Sequence, residues 1–338
     1  MILFYEFSPS LRSQPLARRL SQYPIDCGPL TSHQPQHDYP TQPLPSASYC
    51  SVTFQPLSLS MAMLRSDGIV EVLPLPVSST KKTQPLCIAP DGQTANQHKS
   101  RLSFSNTNGK NMLAYRNAVY STSRNNPKNP SHTSLPPLLT LSPESRNICF
   151  FYGDKFLASS TSSTINLHLF NLSSSQTKKV ASFTPSSSHS VTTVGCVNST
   201  SSNLLFSLNS DRSLNVIDVA SNLTYWSVPA SSGRRASHSL ALPPVSPNCA
   251  VPSDMYNLVA CASHDEGGLI SLWDVRTASP AARFSGGHVN RVLECRVNFS
   301  PCMRYISTGS EDAHGAAYYD LRKGDAAGER IKATSSQQ

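Results

Sequence analysis

Three residue types that could make a hydrolytic relay follow one another near the end of this chain: His288, Thr308 and Asp312. Such a relay needs a hydroxyl presented on a sharp, exposed turn with a base in hydrogen-bond reach. No nucleophile elbow accompanies these residues, and Thr308 falls inside the strand-like run Tyr305-Ile-Ser-Thr-Gly309. Asp265-Glu266 is an acidic pair, but it sits at an expected hairpin tip, where a solvated turn accounts for it. Of the nine cysteines, none is in a Cys-x-x-Cys and no Cys/His pair has zinc-ligand spacing. Cys295 and Cys302 merely flank an expected strand. All nine read as reduced thiols of an intracellular protein, most of them core fillers. No glycine-rich phosphate loop is present. The expectation is therefore a chain without catalytic centre, metal or cofactor. Two arginines remain as contact candidates, in Trp273-Asp-Val-Arg276 and Tyr319-Asp-Leu-Arg322. The planar fork of arginine suits bidentate hydrogen bonding to a partner. Arg234-Arg-Ala-Ser237 has the form of a basic-directed kinase site in a loop.

The elements that must hold these residues are short strands. Apolar runs separated by polar turns recur from residue 147 at a spacing of roughly 40–45 residues, a period that implies one four-stranded blade per repeat. Four units end in Thr164–Leu172, Leu214–Val219, Leu269–Arg276 and Ala316–Arg322. Each alternates apolar and polar residues as a half-buried strand does. Each is preceded by a second strand, at 156–160, 204–208, 258–262 and 305–309. No segment holds a helical apolar stripe over three turns.

Upstream the texture differs. Of the 26 prolines, 18 lie before residue 147, and residues 8–49 and 76–146 read as loop or disorder. An island at 47–75 holds two apolar runs joined by Ser66-Asp67-Gly68, a strong hairpin signal. It makes a fifth, degenerate blade candidate. The net charge of +8 is concentrated upstream: residues 1–146 carry 13 Lys/Arg and 7 Asp/Glu, residues 147–338 carry 15 and 13. No basic block or basic–aromatic interleaving accompanies it, so nucleic-acid binding is not expected. The N-terminal Met1–Phe7 is apolar but too short for a span and lacks a signal peptide's basic start and cleavage site. The expected location is cytoplasmic or nuclear, without secretion or membrane insertion.

The last unit reads Gly286-Gly-His288, Phe299-Ser-Pro301, Tyr305–Asp312 and Tyr319-Asp-Leu-Arg322, and the preceding one keeps Trp273-Asp274. This resembles the WD-repeat pattern, with Tyr319 where Trp is usual and Ile217 in the unit at 187–219. Ile148–Leu157, Leu272–Arg276 with the downstream Arg283–His288, and Phe299–Tyr305 with Glu311–His314 are similar to the C-terminal region of the WD repeat-containing protein 27 family. The resemblance implies an all-β WD-repeat β-propeller over 147–324 with four clear blades, room for five or more, and a ring that need not close. The count favours a truncated product or an incomplete ring. A mostly low-complexity region, 1–146, would precede the blades, and a tail, 325–338, would follow without a strand. A WD repeat ends before the outermost strand of its blade, so Ile2–Phe7 is the candidate to supply the last one.

The resemblance also assigns roles. His288, Thr308, Asp312 and Tyr319 would form a buried hydrogen-bond network, with Trp273 and Asp274 in the matching structural positions of the unit before. Function would be that of a non-enzymatic scaffold for protein or peptide partners. The Trp-Asp-x-Arg endings are similar to the box by which WD-repeat substrate receptors meet a cullin-RING ligase adaptor, through Arg276 or Arg322. The fit is imperfect: Asp265 lies two residues too far from Trp273, and Asp312 one too far from Tyr319. A propeller enzyme is the reading from another class.

Overall fold

A computed structural model describes residues 49–55, 60–65, 69–74, 86–88, 102–105, 112–122, 137–171, 176–185, 189–229, 237–244, 257–292, 294–300, 303–311, 315–323 and 329–331. These residues form six four-stranded sheets, each made of four consecutive strands in sequential order. The first is β1 (Tyr49–Gln55), β2 (Ser60–Arg65), β3 (Val70–Pro74) and β4 (Leu86–Ile88). The second is β5 (Leu102–Phe104), β6 (Met112–Tyr115), β7 (Ala118–Ser121) and β8 (Leu139–Thr140). The third is β9 (Ile148–Phe151), β10 (Phe156–Ser160), β11 (Ile165–Asn171) and β12 (Gln176–Phe183). The fourth is β13 (Val191–Cys196), β14 (Leu204–Asn209), β15 (Ser213–Asp218) and β16 (Leu223–Pro229). The fifth is β17 (Ser237–Ala241), β18 (Leu258–Ser263), β19 (Leu269–Asp274) and β20 (Ser279–Phe284). The sixth is β21 (Val297–Phe299), β22 (Tyr305–Ser310), β23 (Gly315–Asp320) and β24 (Glu329–Ile331). All pairings are antiparallel.

The first strands of successive sheets neighbour one another in the order β1, β5, β9, β13, β17, β21. The sheets therefore stack face to face in series, around their first strands. Five core clusters fill the seams between consecutive sheets, first to sixth. A sheet with a neighbour on both faces must be apolar on both. β18 and β19 are accordingly buried at every position. The fourth strands of the third and fourth sheets are mostly exposed, as in the Gln-Thr-Lys-Lys start of β12 and the Leu223–Tyr225 start of β16. Among the described residues no core cluster joins the sixth sheet to the first, and β21 alternates buried and exposed, as a sheet covered on one face does.

Polar pins cross the seams. The Phe150 N–H donates to Ser103 Oγ (3.4 Å), the Val297 N–H to Ser239 Oγ (3.1 Å), and the Trp226 indole N–H to the Val275 carbonyl (2.8 Å). Each ties one sheet to the next where a side chain would otherwise bury an unpaired group.

The four expected units coincide with the third to sixth sheets, and their second and third strands fall where the alternation places them. The island at 47–75 supplies β1 to β3; Ser66-Asp67-Gly68 lies outside the described residues, but the runs beside it pair, Leu64 opposite Val70. Two expectations are corrected. Residues 76–146, read as loop or disorder, hold β4 and the whole second sheet. Strands of three and four residues, such as Leu102–Phe104 and Met112–Tyr115, are too short to show a period between long Ser/Asn-rich connections. The tail 325–338, read as strandless, contributes β24, which pairs with β23 (Ala317 opposite Arg330). The outermost strand of the last sheet thus comes from its own tail. Ile2–Phe7, the sequence candidate for that role, lies outside the described residues. No described helix is long and apolar enough to cross a membrane.

Candidate functional site

The side chains with chemical potential converge at one end of the fifth and sixth sheets. Three segments meet there: the turn from β18 to β19, the connection from β20 to β21, and the end of β22. The turn is a 3-10 turn, Asp265–Gly267, closed by Gly268. Glu266, Gly267 and Gly268 all have positive φ (54°, 80° and 136°). Gly268 cannot be replaced freely, because a Cβ there would lie 2.8 Å from His288 Nε2. The connection is tied to both sheets by its backbone. The Asn290 N–H donates to the Gly267 carbonyl (2.6 Å), and the Glu311 N–H donates to the Val289 carbonyl (2.8 Å).

His288 and Tyr319 are brought together. Tyr319 Oη and His288 Nδ1 are 2.5 Å apart, with the rings edge to face, and both residues are buried. Tyr319 also packs on Phe284, at 5.4 Å between ring centres. Tyrosine reaches this nitrogen directly with its hydroxyl. Thr308, buried in β22, is not part of that contact: its Oγ1 has no hydrogen-bond partner among the described residues. Asp312 lies outside the described residues. The described groups thus form a His–Tyr pair and no nucleophile–base relay. In the fifth sheet, the Trp273 indole N–H likewise has no hydrogen-bond partner among the described residues. Asp265, read from sequence as a solvated tip, is buried; the Ser263 hydroxyl donates to its carboxylate (3.1 Å). Only Glu266 of that acidic pair is exposed.

A second histidine cluster was not legible in the sequence. His238, at the start of β17, stacks on His264 with ring centres 4.3 Å apart and an angle of 21°. His238 Nε2 lies 3.1 Å from the Cys295 carbonyl and 3.1 Å from the Asn290 side chain. His264 Nδ1 lies 3.2 Å from the Asn290 carbonyl. Carbonyls only accept, so His264 Nδ1 donates to the Asn290 carbonyl. His238 Nε2 faces both the Cys295 carbonyl, which needs a donor, and the Asn290 Nδ2 amide, which needs an acceptor, and one tautomer serves only one of them. Burial pushes the pKa of His238 down to about 3, helped by His264, Arg296 and His288 and opposed by the Cys295 carbonyl. The imidazole is neutral throughout the physiological range. Burial, then the Glu311 carboxylate, pushes the Cys295 thiol up to about 11. Cys295 is therefore a protonated thiol and a poor nucleophile. Residues 26 to 57 positions apart make this cluster, so no local motif announces it. Among the described residues no group of three or more His, Cys, Asp or Glu is placed to hold a metal ion.

The two candidate arginines lie elsewhere, just after the ends of β19 and β23. The Arg276 fork closes on Asp274: Nε donates to Oδ1 (3.0 Å) and Nη2 to Oδ2 (2.9 Å). Both side chains are buried, 8 % and 1 % exposed, so this fork is spent inside the sheet. Arg322 makes the same pair with Asp320 but keeps 45 % of its side chain exposed. Burial raises the Asp320 carboxyl, but hydrogen bonds and charge from Arg322, with Arg304, outweigh it and bring the pKa down to about 2. Ser237 of the Arg-Arg-Ala-Ser sequence is a correction: it opens β17 and is buried, unlike a loop phosphoacceptor.

Among the described residues, one large exposed apolar side chain stands on this end. Val292, 79 % exposed, follows Arg291 on the β20–β21 connection. Glu311 Oε1 accepts the N–H groups of both (2.7 Å each), and the Val289 N–H donates to Ser310 Oγ (2.9 Å).

No protein-family model matches the chain. Among solved structures, it is similar to the Myceliophteria thermophila Cps50 (Swd1) β-propeller domain. That likeness has a TM-score of 0.58 at 13 % identity and covers 86 % of this chain and 88 % of that one. At this identity the likeness is one of fold, and with six radially ordered four-stranded sheets it makes the chain an all-β propeller.

Proposed function

We propose that the chain is a non-enzymatic, intracellular interaction scaffold, and that the end of the fifth and sixth sheets carrying Val292 receives a protein or peptide partner. The observation that carries this reading is the presentation of Val292. A lone exposed apolar side chain is ordinary on a surface. This one sits on backbone already fixed by two hydrogen bonds to a single carboxylate oxygen, so ordering it on binding costs little. The neutral His238 and the protonated Cys295 thiol suit a rigid support better than a reaction centre. The test is quantitative affinity purification with Val292→Asp, using Tyr225→Asp on the outer strand β16 as the control. Loss of partners in the first variant alone supports the reading; an unchanged partner set in a folded Val292→Asp protein rejects it.

A narrower reading, a substrate receptor for a cullin-RING ligase, now rests on Arg322. Both arginines pair with the aspartate two residues earlier, but the Arg322 side chain is half exposed whereas that of Arg276 is buried. Co-purification of the ligase adaptor, lost in Arg322→Ala, is its test. The narrower family likeness, to WD repeat-containing protein 27, rests on the sequence strings at 148–157, 272–276, 283–288, 299–305 and 311–314.

A further inference from the structure

Two thiols meet across the seam between the third and fourth sheets. Cys149, on β9, and Cys196, the last residue of β13, have their sulfur atoms 3.5 Å apart. They are 47 residues apart in the chain, and the strands that carry them are the first strands of adjacent sheets. The contact lies in the apolar cluster with Phe151, Val194 and Leu205. The Cys196 thiol donates to the Phe150 carbonyl at 2.9 Å, which fixes it beside the other sulfur. A disulfide needs the sulfurs about 2.05 Å apart. Closing the bond asks the two sulfurs to approach by about 1.5 Å (3.5 less 2.05).

We propose that Cys149 and Cys196 are a reversible disulfide site that joins the third and fourth sheets on exposure to hydrogen peroxide. Cys149 is 2 % exposed and Cys196 8 % exposed, so the oxidant must be small and uncharged. Cys196, the more accessible of the two, reacts first and slowly, because the thiolate is the attacking form and burial disfavours it; its proton leaves with the displaced hydroxide. Its sulfur attacks one peroxide oxygen and the O–O bond breaks, giving a sulfenic acid and one water. The Cys149 sulfur then attacks the Cys196 sulfur, the S–OH bond breaks, and the hydroxyl leaves as a second water with the Cys149 proton. Two thiols and one peroxide thus become one disulfide and two waters. A small-molecule thiol reverses the bond by exchange. The bond holds two sheets together at their inner strands and closes a long loop, restricting the unfolded chain.

The test uses the full chain, reduced, desalted and then treated with stoichiometric hydrogen peroxide. Trypsin under non-reducing conditions releases Asn147–Lys155 and Val180–Arg212, each with one of the two cysteines and no other. The expected result is these two peptides linked, two hydrogen masses lighter than their sum and separated by dithiothreitol, as the dominant cross-link among nine cysteines. Thermal unfolding of the oxidised chain shifts upward by roughly 5 °C. Cys149→Ser and Cys196→Ser abolish the shift. The proposal is overturned if peroxide oxidises other cysteines while the linked pair is absent, or if both thiols end as separate sulfinic acids. The peptide readout on the unsubstituted chain stands even if a serine variant fails to fold.

Discussion

Acidification should weaken this fold through His238, and the size of the loss follows from its surroundings. In the folded chain its pKa is held at about 3, against 6.5 in an open chain. The folded state thus binds fewer protons than the unfolded one between those values, so stability is present above pH 6.5 and is lost as pH falls toward 3. Between pH 7 and pH 5 the linkage amounts to about 2 kcal/mol. The groups facing His238 are His264 on the turn, Cys295 and Arg296 on the connection, and His288 beyond them. None supplies a carboxylate to accept the new charge. His238→Gln keeps a donor near the Cys295 carbonyl but does not titrate. Urea unfolding of both proteins at pH 7, 6 and 5 isolates the residue. The difference cancels other groups, such as His168, which burial and Lys179 also hold below the ordinary histidine value. The loss from Asp320 comes only as pH falls toward 2. The expected result is a variant weaker at pH 7 whose stability falls by about 2 kcal/mol less than the parent's on reaching pH 5. Parallel curves would refute a buried, neutral His238.

Three further outcomes follow from the same geometry. Tyr319→Phe deletes the hydroxyl held by His288 and leaves its nitrogen in a buried pocket; a loss of about 1–2 kcal/mol by denaturant melt is expected. Gly268→Ala drives a Cβ into His288 from a backbone at φ 136°, for a loss of roughly 2 kcal/mol or more, read by thermal melt. Arg276→Ala takes the charged fork from the buried Asp274 carboxylate, leaving it the backbone N–H at position 276, and should cost roughly 3 kcal/mol, whereas Arg322→Ala removes a half-exposed partner and should cost under about 1 kcal/mol. Equal losses in the two would contradict the assignment of one arginine to the interior and the other to the surface.

The sequence displays the third to fifth sheets because their middle strands are largely buried and bounded by turn residues, and the sixth because β22 alternates in burial. Leu258–Ser263 and Leu269–Asp274 are legible for that reason. The second sheet is not, since its strands of two to four residues are shorter than any window that shows a period. The Trp-Asp-x-Arg ending is visible as a motif, but its meaning is not. Only the fold shows that each arginine turns back on the aspartate two residues earlier, Arg276 buried on Asp274 and Arg322 half exposed on Asp320. The His238–His264–Asn290–Cys295 cluster and the Cys149–Cys196 contact join residues from different sheets, which one-dimensional spacing does not record.

The measurement that bears most directly on the scaffold reading is site-specific photocross-linking in cells. A benzoylphenylalanine residue would replace Val292 in one chain and Tyr225 in another. A partner bound at the end of the fifth and sixth sheets gives one or a few discrete higher-mass adducts from position 292 and none from 225. Strong adducts from 225 with none from 292 would contradict the assignment of the binding surface.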